Sequence, residues 1–141
     1  MTARRKARKR ALDILFEAEQ RDTDVAELLA LRQAEAGRDA ADYATTLVEG
    51  VAAHRAAIDA SIAANLAGDW TLSRIPAVDR AALRIAVYEI GFGAQVPAGV
   101  AVSEAVGLVA DLSTDESPGY VNGVLSAIAA AVVAEGGAIP R

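Results

Sequence analysis

Side chains that could stack on or hydrogen-bond to a ligand are concentrated in residues 113–125. Tyr120 supplies an aromatic ring and Asn122 an amide, while Gly119 and Gly123 add no side chain on either side of the ring. Each glycine costs roughly 1 kcal/mol relative to alanine in a helix interior. Two interpretations stay open: a tight crossing of two helices, and a surface where the ring and the amide meet a partner.

A second group of candidate binding residues is the basic arm, residues 4–10. It contains Arg4, Arg5, Lys6, Arg8, Lys9 and Arg10. These are six of the 14 basic residues, and the other 8 stand against 19 acidic residues. An acidic body with one basic segment predicts a localised contact with a polyanion, and nucleic acid is the favoured one. The alternatives are a solvated tail without a ligand and a membrane-surface helix. The latter is disfavoured because its cations would follow one face for its full length.

Catalytic and cofactor chemistry finds little support in the composition. The chain has no cysteine and a single histidine, His54, so thiolate chemistry and histidine-based metal clusters are excluded. Neither common glycine-rich phosphate loop occurs. We therefore expect a binding module without catalytic residues, metal or cofactor. The longest apolar run, 127–134, is shorter than the ~20 residues of a membrane span, and no signal peptide precedes it, so we expect a cytoplasmic protein.

Hydrophobic periodicity predicts helices throughout, and no alternating strand pattern is found. Asp24 caps a second helix that ends at Gly37, and Asp39 caps a long helical stretch to about residue 67. Gly50 and His54 lie in the middle of this stretch and leave open whether it is one helix or two that meet at an angle. Ser117 is predicted as an N-cap, with Pro118 as the first helical residue. The fold class is all-α, with two small bundles (about 1–67 and about 68–135) forming one domain of 1–141. The single tryptophan, Trp70, is expected to anchor their packing.

Six segments of this chain together resemble the NusB family of bacterial transcription antitermination factors. They are 3–8, 78–84, 88–89, 96–97, 103–106 and 113–125. The resemblance implies an all-helical double bundle of about seven helices that binds RNA. It also implies boxA RNA of ribosomal transcripts as the ligand, the NusE ribosomal protein as a partner, and action within the RNA polymerase antitermination complex.

The resemblance also implies roles for individual residues. Arg4, Arg5, Lys6 and Arg8 fall where the family's RNA-binding arm lies. Tyr120 replaces a phenylalanine associated with RNA contact, and Glu116 holds an acidic position beside it. We predict that Tyr120 and Asn122 read the bases. Phe16 and Asp79 match positions that face NusE.

This sequence departs from the family beside Tyr120. Lysines usually stand where this chain has Ala110 and Asp111, and a basic residue often stands where it has Gly119. We therefore expect weaker RNA binding than in the family at large, or a stronger dependence on NusE. If all six cations of the basic arm contact phosphates, the slope of log affinity against log salt reaches about −4, which is the largest magnitude that the arm alone allows.

Two other classes of protein stay open. One is the NusB-like domain of an RsmB-type ribosomal RNA methyltransferase. We expect a free-standing factor instead, because the sequence stops at Arg141 without a methyl-donor-binding domain. The other is a structural homodimer in which the basic arm is buried in a second copy.

Overall fold

The computed structural model describes residues 2–37, 42–93 and 96–135. Within these ranges the chain forms seven α-helices and no strand, which confirms the all-α prediction. The helices are α1 (Ala3–Gln20), α2 (Val25–Ala36), α3 (Tyr43–Ala53), α4 (Arg55–Ala64), α5 (Ala77–Gly91), α6 (Ala98–Leu112) and α7 (Ser117–Ala134).

Local residues set both ends of α2 as predicted. An Asp24 carboxylate oxygen accepts hydrogen bonds from the amides of Ala26 and Glu27, at 2.9 and 3.1 Å. Gly37 ends the helix with a φ of 63°, a left-handed conformation that glycine adopts without steric cost.

The long helical stretch predicted after α2 consists of two helices, α3 and α4, which meet at His54. Asp39, the predicted cap, lies outside the described residues. Asp42 caps α3 by accepting a hydrogen bond from the Thr45 amide at 2.9 Å. The chain therefore turns at His54 before it continues into α4.

The contact between α3 and α5 is close at Gly50. The ring of Tyr88 occupies the space that a side chain at residue 50 would take. A Cβ atom built on Gly50 would lie 2.2 Å from Tyr88 Cε1. Beside this contact, His54 stacks on Phe92 with ring centroids 4.3 Å apart. Glycine at position 50 thus lets the Tyr88 ring lie directly against the α3 backbone.

Helix α5 is the centre of the fold, because α1, α3, α4, α6 and α7 all pack against it. Its side chains Leu83, Ile85 and Val87 are at most 2% exposed. Buried apolar residues from all seven described helices form one continuous cluster. The division into bundles of about 1–67 and about 68–135 stays a prediction, since the two share this core.

Helix α7 is unusually apolar for a surface-exposed helix. Among the described helices it is long and apolar enough to cross a membrane by length and composition, with a mean hydropathy of 1.4 over 18 residues. Its residues Val121, Leu125 and Ile128 are fully buried. They belong to the common core, and α7 packs against α5 and α6. Helix packing therefore accounts for these three apolar side chains, whereas Val133 of the same helix is 75% exposed.

Candidate nucleic-acid interface

The basic arm forms the first two turns of α1. The helix begins at Ala3, and the Thr2 hydroxyl accepts a hydrogen bond from the Arg5 amide at 3.1 Å. Successive helical residues point about 100° apart, so the six cations leave the helix in different directions. Some of them consequently face the protein instead of solvent.

Arg8 is the clearest case of an inward-facing cation. Its side chain is 4% exposed, and it donates hydrogen bonds of 3.0–3.1 Å to Glu89, which is 1% exposed. The Tyr43 hydroxyl donates to the same carboxylate. Burial opposes the charge on Arg8, but the hydrogen bonds and charge of Glu89 outweigh it and raise its pKa. The guanidinium is covered in this structure, so RNA contact by Arg8 stays a prediction that requires the pair with Glu89 to open.

The Tyr43 hydroxyl completes this buried group. Its partial burial, followed by the hydrogen bond to Glu89, raises the pKa of Tyr43 to about 12. Tyr43 is thus a neutral donor near neutral pH and shares Glu89 with Arg8. Together the three side chains fix α1 to α3 and α5.

Three further cations of the basic arm form ion pairs within the chain. Their pairs are Arg5 with Glu104 at 2.9 Å, Lys9 with Asp13 at 2.7 Å, and Arg10 with Asp42 at 3.4 Å. The hydrogen bond to Glu104 is the main reason that the pKa of Arg5 is raised. A phosphate that approaches these three side chains has to compete with a carboxylate.

Unpaired cations are few. In the described ranges, the basic side chains without a carboxylate at ion-pair distance are Arg4, Lys6 and Arg74. All three are exposed. The guanidinium of Arg4 lies over the Tyr43 ring, 3.9 Å from its centroid, which leaves its charge unneutralised. These are the positions where a phosphate meets no internal competitor.

Ser117 acts differently from the predicted N-cap. It is the first residue of α7, and no side chain caps that helix. Its hydroxyl turns inward and donates to Asp79 Oδ2 at 2.8 Å. The Thr114 amide in turn donates to the Ser117 hydroxyl at 3.3 Å. The start of α7 is therefore tied to the first turn of α5 by a side-chain hydrogen bond.

This hydrogen bond also bears on the assignment of Asp79 to a partner-binding surface, which stays a prediction. Asp79 is 2% exposed, so its carboxylate is covered in this structure. Phe16 is partly exposed and lies outside the core cluster. Of the two residues that the resemblance assigns to NusE contact, only Phe16 is partly exposed in this structure.

Tyr120 lies beside Trp70, with ring centroids 6.3 Å apart and an angle of 59° between the rings. The Tyr120 hydroxyl is buried without a hydrogen-bond partner. Its burial, followed by the negative charge of Asp79, raises the pKa of Tyr120. Trp70 is 53% exposed, so the expectation that it anchors the packing of two bundles is wrong. Trp70 is instead the solvent-exposed ring of the aromatic pair that it forms with Tyr120.

The interpretation of residues 119–123 as a tight helix crossing is not supported. Gly119 and Gly123 are exposed, and a Cβ atom at either would meet nothing within 4 Å. Asn122 lies two residues from Tyr120 and thus on another face of α7, where it lines a shallow cleft against Ala98 and neighbouring α6 residues. The structure therefore does not bring Tyr120 and Asn122 together.

The two predicted RNA-binding segments are connected through α6. Arg5 and Lys9 line a cleft with Glu104, Asp111 and neighbouring residues at the end of that helix. The loop after α6 leads directly to Glu116, which is exposed, and on to Tyr120. The ion pair of Arg5 with Glu104 thus joins the basic arm to α6.

Arg74 is the candidate binding residue that the sequence interpretation missed. It stands in the linker between α4 and α5, in a segment without clustered charge, so charge pattern alone did not single it out. The available signal was its position four residues after Trp70 and shortly after Gly68. A turn there places both side chains at the same cleft.

Another group of charged side chains forms ion pairs within the fold. In the described part of the chain, no group of three or more metal-ligating side chains is placed to hold an ion. Glu19 accepts hydrogen bonds from Arg80 and Arg84, and the bond to Arg80 is the main cause that lowers its pKa. Arg84 also donates to Asp59 at 2.9 Å. These contacts join α1, α4 and α5.

The fold and this surface define a small, all-helical binding protein. Residues 5–130 match the NusB family. The transcription antitermination protein NusB of Acidothermus cellulolyticus is 55% identical over 130 residues, which cover 92% of this chain and 89% of the relative. That of Kineococcus radiotolerans is 51% identical over 129 residues, covering 92% and 94%. The chain belongs to the NusB family.

Solved structures agree with this assignment. Thermotoga maritima NusB superposes with a TM-score of 0.82 at 32% identity, covering 99% of this chain and 94% of that one. A chain from a crystal structure of the antitermination factors NusB and NusE in complex with dsRNA gives a TM-score of 0.80 at 31% identity, covering 93% and 98%.

Proposed function

We propose that this protein is a transcription antitermination factor of the cytoplasm. It binds boxA-type single-stranded RNA of ribosomal RNA transcripts together with the NusE ribosomal protein, within the RNA polymerase antitermination complex. The observation that carries the proposal is the presence of two exposed cations without an ion-pair partner, Arg4 and Lys6, in a chain of the NusB family. Both cations are exposed near the start of α1, and the same chain carries the aromatic pair of Trp70 and Tyr120.

Charge on this surface supports a modest electrostatic contribution. Arg4 and Lys6 together account for a salt slope of about −1.4, at roughly −0.7 per phosphate on a single strand. The carboxylates Glu104 and Asp111 line the cleft between the basic arm and α6 and act against a nearby phosphate. RNA binding therefore depends on base contacts and on NusE more than on the number of cations in the arm.

Single-stranded RNA fits the aromatic part of the surface better than a duplex. Bases in a duplex are already stacked on each other, whereas a single strand can place a base on an open aromatic ring. Trp70 offers such a ring. A related NusB–NusE structure contains dsRNA. Binding should therefore be compared between the single-stranded and the duplex form of one RNA sequence.

The proposal is tested by titrating a boxA-type single strand with and without NusE over a range of salt concentrations. Lys6→Gln should weaken binding to every RNA by the same factor and reduce the magnitude of the salt slope by about 0.7, because one phosphate contact is lost. Fluorescence anisotropy of labelled RNA measures both quantities.

Lys9→Gln is the matched control. It removes the same charge three residues further along α1, but that charge is already paired with Asp13. We expect a smaller change of slope than for Lys6→Gln. Equal effects of the two variants would mean that net charge alone attracts the RNA. Absence of RNA binding by the unaltered protein, both alone and with NusE, would sink the proposal.

Phe16 is the residue that we propose for NusE contact. Phe16→Ala should weaken NusE capture at least tenfold, in the range typical of an aromatic interface anchor, while helicity is retained. The control is Leu31→Ala on α2, which removes another exposed apolar side chain, 48% exposed in the structure. Isothermal titration with purified NusE measures the difference.

Native mass determined on the same samples separates the remaining classes. If the protein forms a stable homodimer and the dimer does not bind RNA, the structural homodimer is favoured.

The NusE contact has its own contradicting outcome. If Phe16→Ala binds NusE as tightly as the Leu31→Ala control does, Phe16 is not part of the proposed contact.

A further inference from the structure

The linker between α4 and α5 holds Trp70 out of the core. Gly68 has a φ of 63°, so the chain turns in a left-handed conformation just before the tryptophan. The Trp70 amide donates to the Ala67 carbonyl at 3.4 Å, and the Arg74 amide donates to the Thr71 carbonyl at 3.0 Å. Two consecutive turns thus fix the backbone on both sides of the exposed ring.

Trp70 is the accessible member of the aromatic pair. It is 53% exposed, although a ring of this size is normally among the most buried side chains of a small domain. Tyr120 packs against the core cluster and has a buried hydroxyl. The ring of Tyr120 therefore supports Trp70 from one side, and a ligand that stacks meets Trp70 first.

A cation stands next to this ring. Arg74 lines the same cleft as Trp70, together with Ala67, Gly68 and Asp69. It is exposed and has no carboxylate at ion-pair distance, Asp69 included. The other unpaired cations of the described residues are Arg4 and Lys6, which belong to the basic arm. An open ring with a free guanidinium beside it is the combination that binds one base and its phosphate.

We propose that Trp70 and Arg74 form a second RNA subsite, in which one base of a single strand stacks on Trp70 and an adjacent phosphate contacts Arg74. This inference rests on the proposed RNA-binding function. The subsite lies next to Tyr120, the ring that the resemblance associates with RNA contact. It supplies a cation beside the aromatic pair, in a chain that has Ala110, Asp111 and Gly119 where basic residues are frequent in the family.

The single tryptophan makes the subsite directly observable. A boxA-type single strand should change Trp70 emission with the same midpoint as the anisotropy of the labelled RNA, because both report one binding event. The duplex of the same sequence should leave the emission nearly unchanged. A change of emission produced by NusE without RNA would instead place a protein partner on this ring and would overturn the inference.

Trp70→Leu should weaken single-strand binding between about fivefold and about 150-fold, the range that stacking of one base supplies. Trp70→Phe keeps an aromatic ring and should recover part of that loss. Leu31→Ala is the control for removal of an exposed apolar side chain. Melting temperature and far-UV circular dichroism verify that each variant is folded; should Trp70→Leu fail to fold, the emission titration decides.

Arg74→Gln should reduce the magnitude of the salt slope by about 0.7 and weaken all single strands alike. Arg21→Gln is its control, because that arginine is equally exposed and is paired with Glu17.

The two proposals fail in distinguishable ways. If the unaltered protein binds RNA but its Trp70 emission is constant and Trp70→Leu binds equally well, the subsite is overturned and the proposed function stands. If the unaltered protein binds no RNA, both are overturned.

Discussion

Replacing Arg8 by alanine should lower the free energy of unfolding by about 3–5 kcal/mol, because it leaves the carboxylate of Glu89 buried without its cation. Glu89 is 1% exposed and would retain a single donor among the contacts described above, the Tyr43 hydroxyl. Chemical denaturation monitored by circular dichroism measures this loss. RNA binding per folded molecule should change little, because Arg8 offers no surface to a phosphate.

Lys6→Ala provides the comparison within the same helix. Lys6 is exposed and unpaired, so its removal should change stability by no more than about 0.5 kcal/mol while weakening RNA binding. Arg8→Ala should thus lower stability and keep RNA affinity, whereas Lys6→Ala should keep stability and lower RNA affinity. An Arg8→Ala protein with unaltered stability and reduced RNA affinity would show that the pair with Glu89 opens in solution.

Gly50→Ala should destabilise the fold by about 1–3 kcal/mol, since its methyl group would occupy the space of the Tyr88 ring. The Cβ atom would lie 2.2 Å from Cε1 and 2.3 Å from Cζ of that ring. The ring has to move away from α3, and the neighbouring stack of His54 on Phe92 moves with it. The shift of the unfolding midpoint in denaturant measures the effect.

Gly107→Ala is the matched control for this substitution. Gly107 lies inside α6, and a Cβ atom there would meet nothing within 4 Å. Alanine should therefore stabilise that helix by roughly 0.5–1 kcal/mol. In a Tyr88→Ala background the Gly50→Ala change should cost nothing further, because the ring that it displaces is gone. An additive double variant would contradict this explanation.

Helix ends and helix bounds were predictable from the sequence because their causes are local. Asp24 lies two and three residues from the amides that it caps, and Gly37 ends the helix through its own backbone conformation. The break at His54 was left open, since glycine and mixed polar residues in mid-helix allow either outcome.

The surface was less predictable, because its character depends on contacts between residues far apart in the chain. Arg8 and Glu89 are 81 residues apart, and Ser117 and Asp79 are 38 residues apart. No local pattern distinguishes Arg8 from Lys6, or an exposed aspartate at a helix start from a buried one. The exposure of Trp70 likewise follows from the turn at Gly68 and the position of α7, which composition does not encode.

The pairing of arm cations with carboxylates has a consequence for discrimination among RNAs. A helix with six free cations would hold any RNA in a cell rich in RNA, and most of the protein would be sequestered away from its target. Carboxylates that occupy Arg5, Lys9 and Arg10 weaken this indiscriminate attraction, whereas they leave the aromatic rings untouched. The ratio of specific to non-specific affinity rises as a result, and this ratio determines occupancy of a rare site. Under the proposed function, the chain's own acidic residues would therefore serve selectivity by competing with bulk RNA for these three cations.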